Sequence, residues 1–307
     1  MLFRRALFLL AALASAPALA DPALWVAKSP TAIVHLFGTV HVLPEGISWR
    51  YPLLDAALNA SGELYVEEND DSAATMRNLV QQFGLGGTPG TTSDDMRTCL
   101  CQEYLEPAYA LSSKLGPRDR ARLEAAANTV DGSGGLEAFE HMRPWLAAVA
   151  LTMAPIEKAG YTPGSGADVQ LKHQFQATGR PVDALETARE QIQSLARLPA
   201  TLQLDLLHDT LDDYAKGPGQ IQALVSAWQA GDVAAIAKNV DADMQNHYPQ
   251  LYTVLLVKRN RNFAHRIAPL LKGHQTVFVA IGAGHLAGPD SVQAQLARLG
   301  IRTERVH

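Results

Sequence analysis

Two apolar, β-branched runs, each closed by Gly-x-x-His, constrain this chain more than any other feature. The first, Thr31-Ala-Ile-Val-His-Leu-Phe37, leads into Gly38-Thr-Val-His41. The second, Gln275-Thr-Val-Phe-Val-Ala-Ile281, leads into Gly282-Ala-Gly-His285. Such runs read as buried strands. Gly38 reads as the stop of the first strand. His41 then falls in the turn, with Leu43-Pro-Glu-Gly46 closing the loop. A histidine just past the carboxyl end of a strand stands where open α/β sheets present ligands and catalytic groups.

The elements between these runs alternate. Leu24-Trp-Val26 reads as an edge strand that turns at Lys28-Ser-Pro30. Residues 50–60 have helical periodicity, ended by Ser61-Gly62. Leu64-Tyr-Val66 is a short strand that runs into Glu67, which completes a βαβ-like unit. From Ser72 to about Gly160 the pattern is mostly helical, and Phe139–Met153 reads as one apolar helix with Pro144 in or near its first turn. Asp168–Ala177 is a further helix. Arg180-Pro-Val-Asp-Ala-Leu185 is a short strand ending in Glu186, and Thr187–Leu195 is helical. Residues 200–216 and 220–247 read as helices, a helix carries Leu255–Phe263, and Ile301–Val306 is the final strand. This order predicts an α/β fold: a central, mostly parallel sheet built from the N- and C-terminal segments, with a helical insert at about residues 72–160.

The chain opens with Arg4-Arg5, an apolar run from Ala6 to Ala14, and Ala18-Leu-Ala20. That is the pattern of a secretory signal peptide cut after Ala20, and the run is short for a membrane span. The expected mature domain is therefore residues 21–307, exported to a periplasm or secreted, with no later membrane span. A formal charge of -5 with acids and bases intermixed argues against a nucleic-acid partner. Cys99 and Cys101 are the only cysteines. Export permits a disulfide, but a pair two residues apart needs a loop to bridge, and alone it lacks the ligands of a closed zinc site.

Four predicted strands end in ionisable residues: His41, Glu67, Glu186 and His285. Side by side and parallel, they would converge above one sheet edge. Two imidazoles and a carboxylate suit a divalent transition metal with open positions. A second carboxylate could serve as general base on water activated by the metal. Glu68 competes with Glu67 from the opposite pleat face, and Glu186 could instead cap the following helix. Arg259 could steady an oxyanion or bind a substrate carboxylate, or make an ordinary salt bridge. His35 reads as a core residue and His274 as part of a turn, while His141, His173, His208, His247 and His265 lie on predicted helices without ligand spacing. There is no Gly-x-Ser-x-Gly elbow, no Walker A sequence, and no third glycine after Gly282-x-Gly284.

Taken in order, several short motifs resemble the TraB/GumN family, related to the Tiki proteins. They are Leu24-Trp25, Phe37-Gly-Thr-Val-His41-Val-Leu-Pro44 and Leu64-Tyr-Val-Glu67. Arg143-Pro-Trp145, Gly179-Arg-Pro-Val-Asp-Ala-Leu-Glu186-Thr with Gln191, Arg259-Asn260 and Gly282-Ala-Gly-His285-Leu-Ala-Gly288 continue the series. Phe37 and Phe263 replace the residues usual there. The resemblance implies an α/β fold and a metal-dependent hydrolase, most plausibly a peptidase acting on a peptide or protein. Manganese or cobalt is the suggested metal, with zinc or iron as alternatives. His41, His285 and Glu67 would be metal ligands, with Glu67, Glu186 and Arg259 in catalysis. Distant relatives bind haem or resemble esterases, so two alternatives follow: a haem- or metal-binding protein of the same fold without turnover, and a metal-free hydrolase using a His/Glu pair.

Overall fold

The computed structural model describes residues 21–307 except 45, 70–71, 86–108, 131–133, 159, 162–163, 218 and 240–242. The leader and the Cys99/Cys101 pair lie outside the described residues. Six strands form one sheet: β1 (Leu24–Lys28), β2 (Ile33–Thr39), β3 (Glu63–Val66), β4 (Val182–Ala184), β5 (Thr276–Gly282) and β6 (Thr303–Arg305). Their spatial order is β4-β3-β5-β2-β1-β6. The β4/β3, β3/β5 and β5/β2 pairs are parallel, and β1 is antiparallel to both β2 and β6. The C-terminal strand β5 is thus inserted between N-terminal strands β2 and β3, as expected of a sheet built from both ends of the chain. Leu24–Val26 is not an edge: β6 pairs outside β1, so the free edges are β4 and β6.

Alternation along the strands fixes two buried faces. Phe37, Phe278 and Ala280 point to one face. There they meet Leu54 and Leu58 of α1 (Pro52–Ala60), Leu171 and Phe175 of α5 (Ala167–Ala177), and Trp228 of α8 (Gly219–Gln229). Val34, Leu36, Val277, Val279 and Ile281 point to the other, against Phe263 and Ile267 of α10 (Arg259–Ile267) and Val292 and Leu296 of α11 (Val292–Arg298). Burying each such side chain contributes about 1.5–3 kcal/mol, so the central strands are where the sheet is most strongly held.

Gly38 does not stop β2; the strand runs through it to Thr39. Its glycine identity answers to close packing instead. A Cβ there would stand 3.0 Å from the Ala283 Cα. The last β1/β2 pair is Leu24 with Phe37, so the Gly38 carbonyl lies beyond β1, and Trp228 Nε1 donates to it at 2.7 Å.

The helical insert holds α2 (Ala73–Phe83), α3 (Pro117–Ala127) and α4 (Pro144–Lys158). The expected single helix over 139–153 is two elements. A short 3-10 turn ends at Phe139, and α4 begins at Pro144 because proline is preorganised for a first turn and cannot donate within one. Arg143, fully buried between them, donates from Nη1 to Phe83 O and from Nη2 to Ala196 O, both at 2.8 Å. Those carbonyls are the C-terminal ends of α2 and of α6 (Ala188–Ala196), where a cation is favoured. The expected helix over 220–247 is also broken. Gly231 (φ 59°) turns the chain, and Asp232 caps α9 (Val233–Ala237) by accepting from Ala235 N–H at 2.9 Å. Leu123 of α3, Leu151 of α4 and Leu207 and Leu211 of α7 (Ala200–Lys216) share a separate core away from the sheet.

Candidate active site at the carboxyl edge of the sheet

The strand order brings together the four groups expected to meet. Read across the sheet, β4, β3, β5 and β2 are followed by Glu186, Glu67, His285 and His41. The register places Gly282 beside Thr39 and Ala280 beside Val66, so all four groups leave the sheet at nearly one level.

Glu67 is the hub. Its Oε1 accepts the Gly282 N–H at 2.6 Å and lies 3.6 Å from His285 Nε2, and its Oε2 accepts from Arg259 Nη2 at 2.9 Å. Burial alone would raise its pKa, yet the surrounding positive groups and the Gly282 N–H bring it down to about 2. The positive groups around it are His285, Arg259 and His41.

The orientation of His285 follows from its neighbours. Asn260 Nδ2 donates to Asp290 O at 2.9 Å, which turns Asn260 Oδ1 toward His285 Nδ1, 2.5 Å away. Nδ1 must then carry the proton, and the Nε2 lone pair faces Glu67 and Arg259. This is the arrangement by which a histidine is fixed for ligation through its other nitrogen. The ring packs edge-on against Phe263, 5.1 Å between centroids. Burial holds its pKa down at about 4.

His41 sits in the turn after β2, its ring largely exposed at the mouth of the site. Its Nδ1 bonds Asp168 Oδ2 at 2.7 Å, and that hydrogen bond with the Asp168 charge raises its pKa. Asp168 opens α5, and α5 can come this close because residue 166 is glycine: a Cβ there would fall 2.3 Å from the His41 carbonyl oxygen. Asp168 Oδ1 is buried without a hydrogen-bond partner among the described residues.

Arg259 joins a wider π-type turn, Thr253–Lys258, to α10 within one helical run. Such turns recur at functional sites. Its guanidinium forks onto Glu186, with Nε to Oε2 at 3.2 Å and Nη2 to Oε1; it also reaches Glu67, and Nη1 donates to His285 Nε2 at 3.2 Å. Burial pushes Glu186 upward and Arg259 opposes it. Glu186 does not cap α6; Thr187 does, in a reciprocal box with Glu190.

A cavity of about 220 Å³ opens beside His41 and Glu67, lined also by Thr39, Glu68, Asp168 and Lys172. A broader groove of about 620 Å³ between α2 and α6 begins at Glu68 and Glu186. Glu68 therefore faces the site as well as Glu67. Sequence reasoning missed Asp168 and Lys172, which are one turn apart on α5 and so share a face. Their only signal was a Gly-Ser-Gly loop feeding a helix with an acid near its start. His35 is half-buried rather than a core residue, and it stacks on Phe278 with ring centroids 6.2 Å apart.

The donor set was tested against a divalent metal. Both imidazoles have Nδ1 engaged by an oxygen, and His285 Nε2 and Glu67 point inward. Gly282 keeps the space between them clear: a Cβ there would stand 2.9 Å from Glu67 Oε1 and 3.7 Å from His41 Nε2. The residues fit a metal by chemistry. By position they are engaged elsewhere, since Arg259 takes Glu67 Oε2 and His285 Nε2. Among the described residues no group of three or more His, Cys, Asp or Glu side chains is arranged to hold a metal ion.

Fold and site together define an α/β protein with paired Gly-x-x-His strand ends and an arginine-bridged carboxylate pair. The chain belongs to the TraB/PrgY/gumN family, whose pattern it matches over residues 23–305. It is similar to the protein YbaP of Escherichia coli (strain K12), 31% identical over 62% of this chain and 70% of that one. It is also similar to the protein named metalloprotease TIKI2 of Danio rerio, 27% identical over 92% of this chain and 60% of that protein, and thus spans less than two thirds of that relative. A Treponema pallidum (strain Nichols) protein is 26% identical over 87% of this chain and 78% of its own length. No solved structure matches.

Proposed function

We propose that this is an exported hydrolase of the peptidase type, acting at the strand-end cluster. The observation that carries the reading is the convergence of His41, Glu67, Glu186 and His285 at one edge of the sheet, where His41 and Glu67 line a cavity and both histidines are oriented through Nδ1. The relative named a metalloprotease supports it. His41, His285 and Glu67 would hold a divalent metal, which supplies Lewis acidity toward a carbonyl and toward water. Manganese and cobalt stand first, then zinc and iron. Glu186, whose pKa burial raises against the lowering by Arg259, is the carboxylate suited to accept a proton. Arg259, between the two glutamates, is placed to meet charge that develops on a carbonyl oxygen. The groove from Glu68 along α2 and α6 offers room for an extended peptide. Export rests on the leader, residues 1–20; no helix among the described residues is long and apolar enough to cross a membrane.

A second reading, a metal-free hydrolase, is favoured by the His41–Asp168 pair, in which the carboxylate orients the imidazole as a base. A haem-binding role gains nothing from a cavity of about 220 Å³, smaller than ordinary small-molecule sites. The test is cleavage of a peptide library by residues 21–307, read by mass spectrometry, with each metal and after chelation. Cleavage lost on chelation and in His41→Ala and His285→Ala, with folding retained, supports the metal reading. Cleavage that survives chelation but not His41→Ala moves the assignment to the metal-free dyad. Cleavage unchanged in both mutants sinks both mechanisms.

A further inference from the structure

We propose that Arg259 is an internal competitor for the metal: its guanidinium holds the lone pairs of His285 and Glu67 that a divalent cation would take, so metal binding requires Arg259 to withdraw toward Glu186. The inference rests on the metal reading of the site given above, and it concerns binding, not turnover.

The geometry is specific. Arg259 Nη1 donates to His285 Nε2 at 3.2 Å, and that nitrogen is a pure acceptor because Asn260 fixes the proton on Nδ1. Arg259 Nη2 donates to Glu67 Oε2 at 2.9 Å. A dication sharing those two donors would lie within a few ångströms of a permanent positive charge, in a pocket where Glu67 and His285 are both buried. Arginine does not lose its proton to relieve this, so the only relief is movement. The way out exists. The fork from Nε and Nη2 onto Glu186 is a complete contact by itself and does not use Nη1, the nitrogen that meets His285. Glu186 thus serves as a second seat for the guanidinium, which accounts for a buried carboxylate whose side chain meets Arg259. The arrangement has two states, arginine on all three partners or metal on two of them. The apparent metal affinity of the wild type is lowered by the fraction of molecules holding the first state.

The test is titration of the mature protein, residues 21–307, with manganese(II) and with zinc(II) by calorimetry, beside Arg259→Met. Folding is checked by circular dichroism. Arg259→Met is expected to bind at least about tenfold tighter than wild type, as relief of a competing state allows. In the wild type, zinc(II), which is diamagnetic, is expected to shift the Arg259 Nε–Hε resonance in step with binding. Equal or weaker affinity in folded Arg259→Met overturns the proposal. So does stoichiometric zinc binding by wild type, lost in His285→Ala, that leaves the Arg259 resonance unmoved. Should Arg259→Met fail to fold, Arg259→Lys carries the same comparison, because an ammonium cannot hold three partners at once, and an affinity no higher than wild type counts against the proposal. Peptide cleavage is scored separately. Competition without cleavage leaves the proposal standing and sinks the peptidase reading; chelator-sensitive cleavage without competition does the reverse.

Discussion

Replacing Gly282 by alanine puts one methyl group at the centre of the site, and its consequences can be worked from distances. The backbone there (φ -50°, ψ 135°) suits any L-residue, so there is no conformational strain. In an unconstrained place the change would stabilise by about 0.4–1 kcal/mol through the unfolded chain. Here the new Cβ stands 2.9 Å from Glu67 Oε1. The carboxylate is the movable partner, and moving it stretches its 2.6 Å bond from the Gly282 N–H. A hydrogen bond to a charged group is worth about 1.5–3 kcal/mol, so the net effect is a loss of about 1–2 kcal/mol. For a domain of this size that lowers Tm by about 2–8 °C. A shift of Glu67 approaching 1 Å should also cost about a hundredfold in any rate that depends on it. The assay is a calorimetric melt of Gly282→Ala beside Gly219→Ala, where a Cβ meets nothing within 4 Å. The control should hold or gain stability while Gly282→Ala loses it. A rise in Tm for Gly282→Ala, with peptide cleavage or metal affinity unchanged, would refute the argument that this glycine exists to leave room for Glu67.

Other outcomes follow from the same contacts. Arg143→Met removes the buried cation that joins the ends of α2 and α6 and should cost about 3 kcal/mol, seen as a fall in the urea midpoint. Thr187→Ala breaks the α6 capping box and should cost about 1 kcal/mol by the same measurement. In the chelated protein, His285 titrates near 4 when folded and 6.5 when unfolded. The unfolded state therefore binds more protons in that window, and stability present above pH 6.5 is lost as pH falls toward 4, by roughly 3 kcal/mol at most. His285→Asn should flatten that part of the profile. His41 has the opposite sign: its raised pKa gives stability that is present below pH 6.5 and fades as pH rises above it, and Asp168→Asn should remove this contribution.

Much of this was legible because it is local. Alternation and β-branching marked β2 and β5, and glycine and histidine after each marked the strand ends, since a run apolar on both faces has to be buried in a sheet. The acids after β3 and β4 were visible for the same reason. What the chain could not show by itself was adjacency. That β5 lies between β2 and β3, that β6 covers β1, and that α5 delivers Asp168 to His41 depend on contacts between residues more than a hundred positions apart. Gly38 and Gly166 look like turn residues in sequence, and only packing shows them to be points of close approach. The role of Arg259 was decided last. Sequence offered Arg259 as a partner for an oxyanion or a substrate carboxylate, or as an ordinary salt bridge; only the tertiary structure seats it on Glu67, Glu186 and His285, because its reach and the direction of its fork are settled by where α10 crosses the sheet.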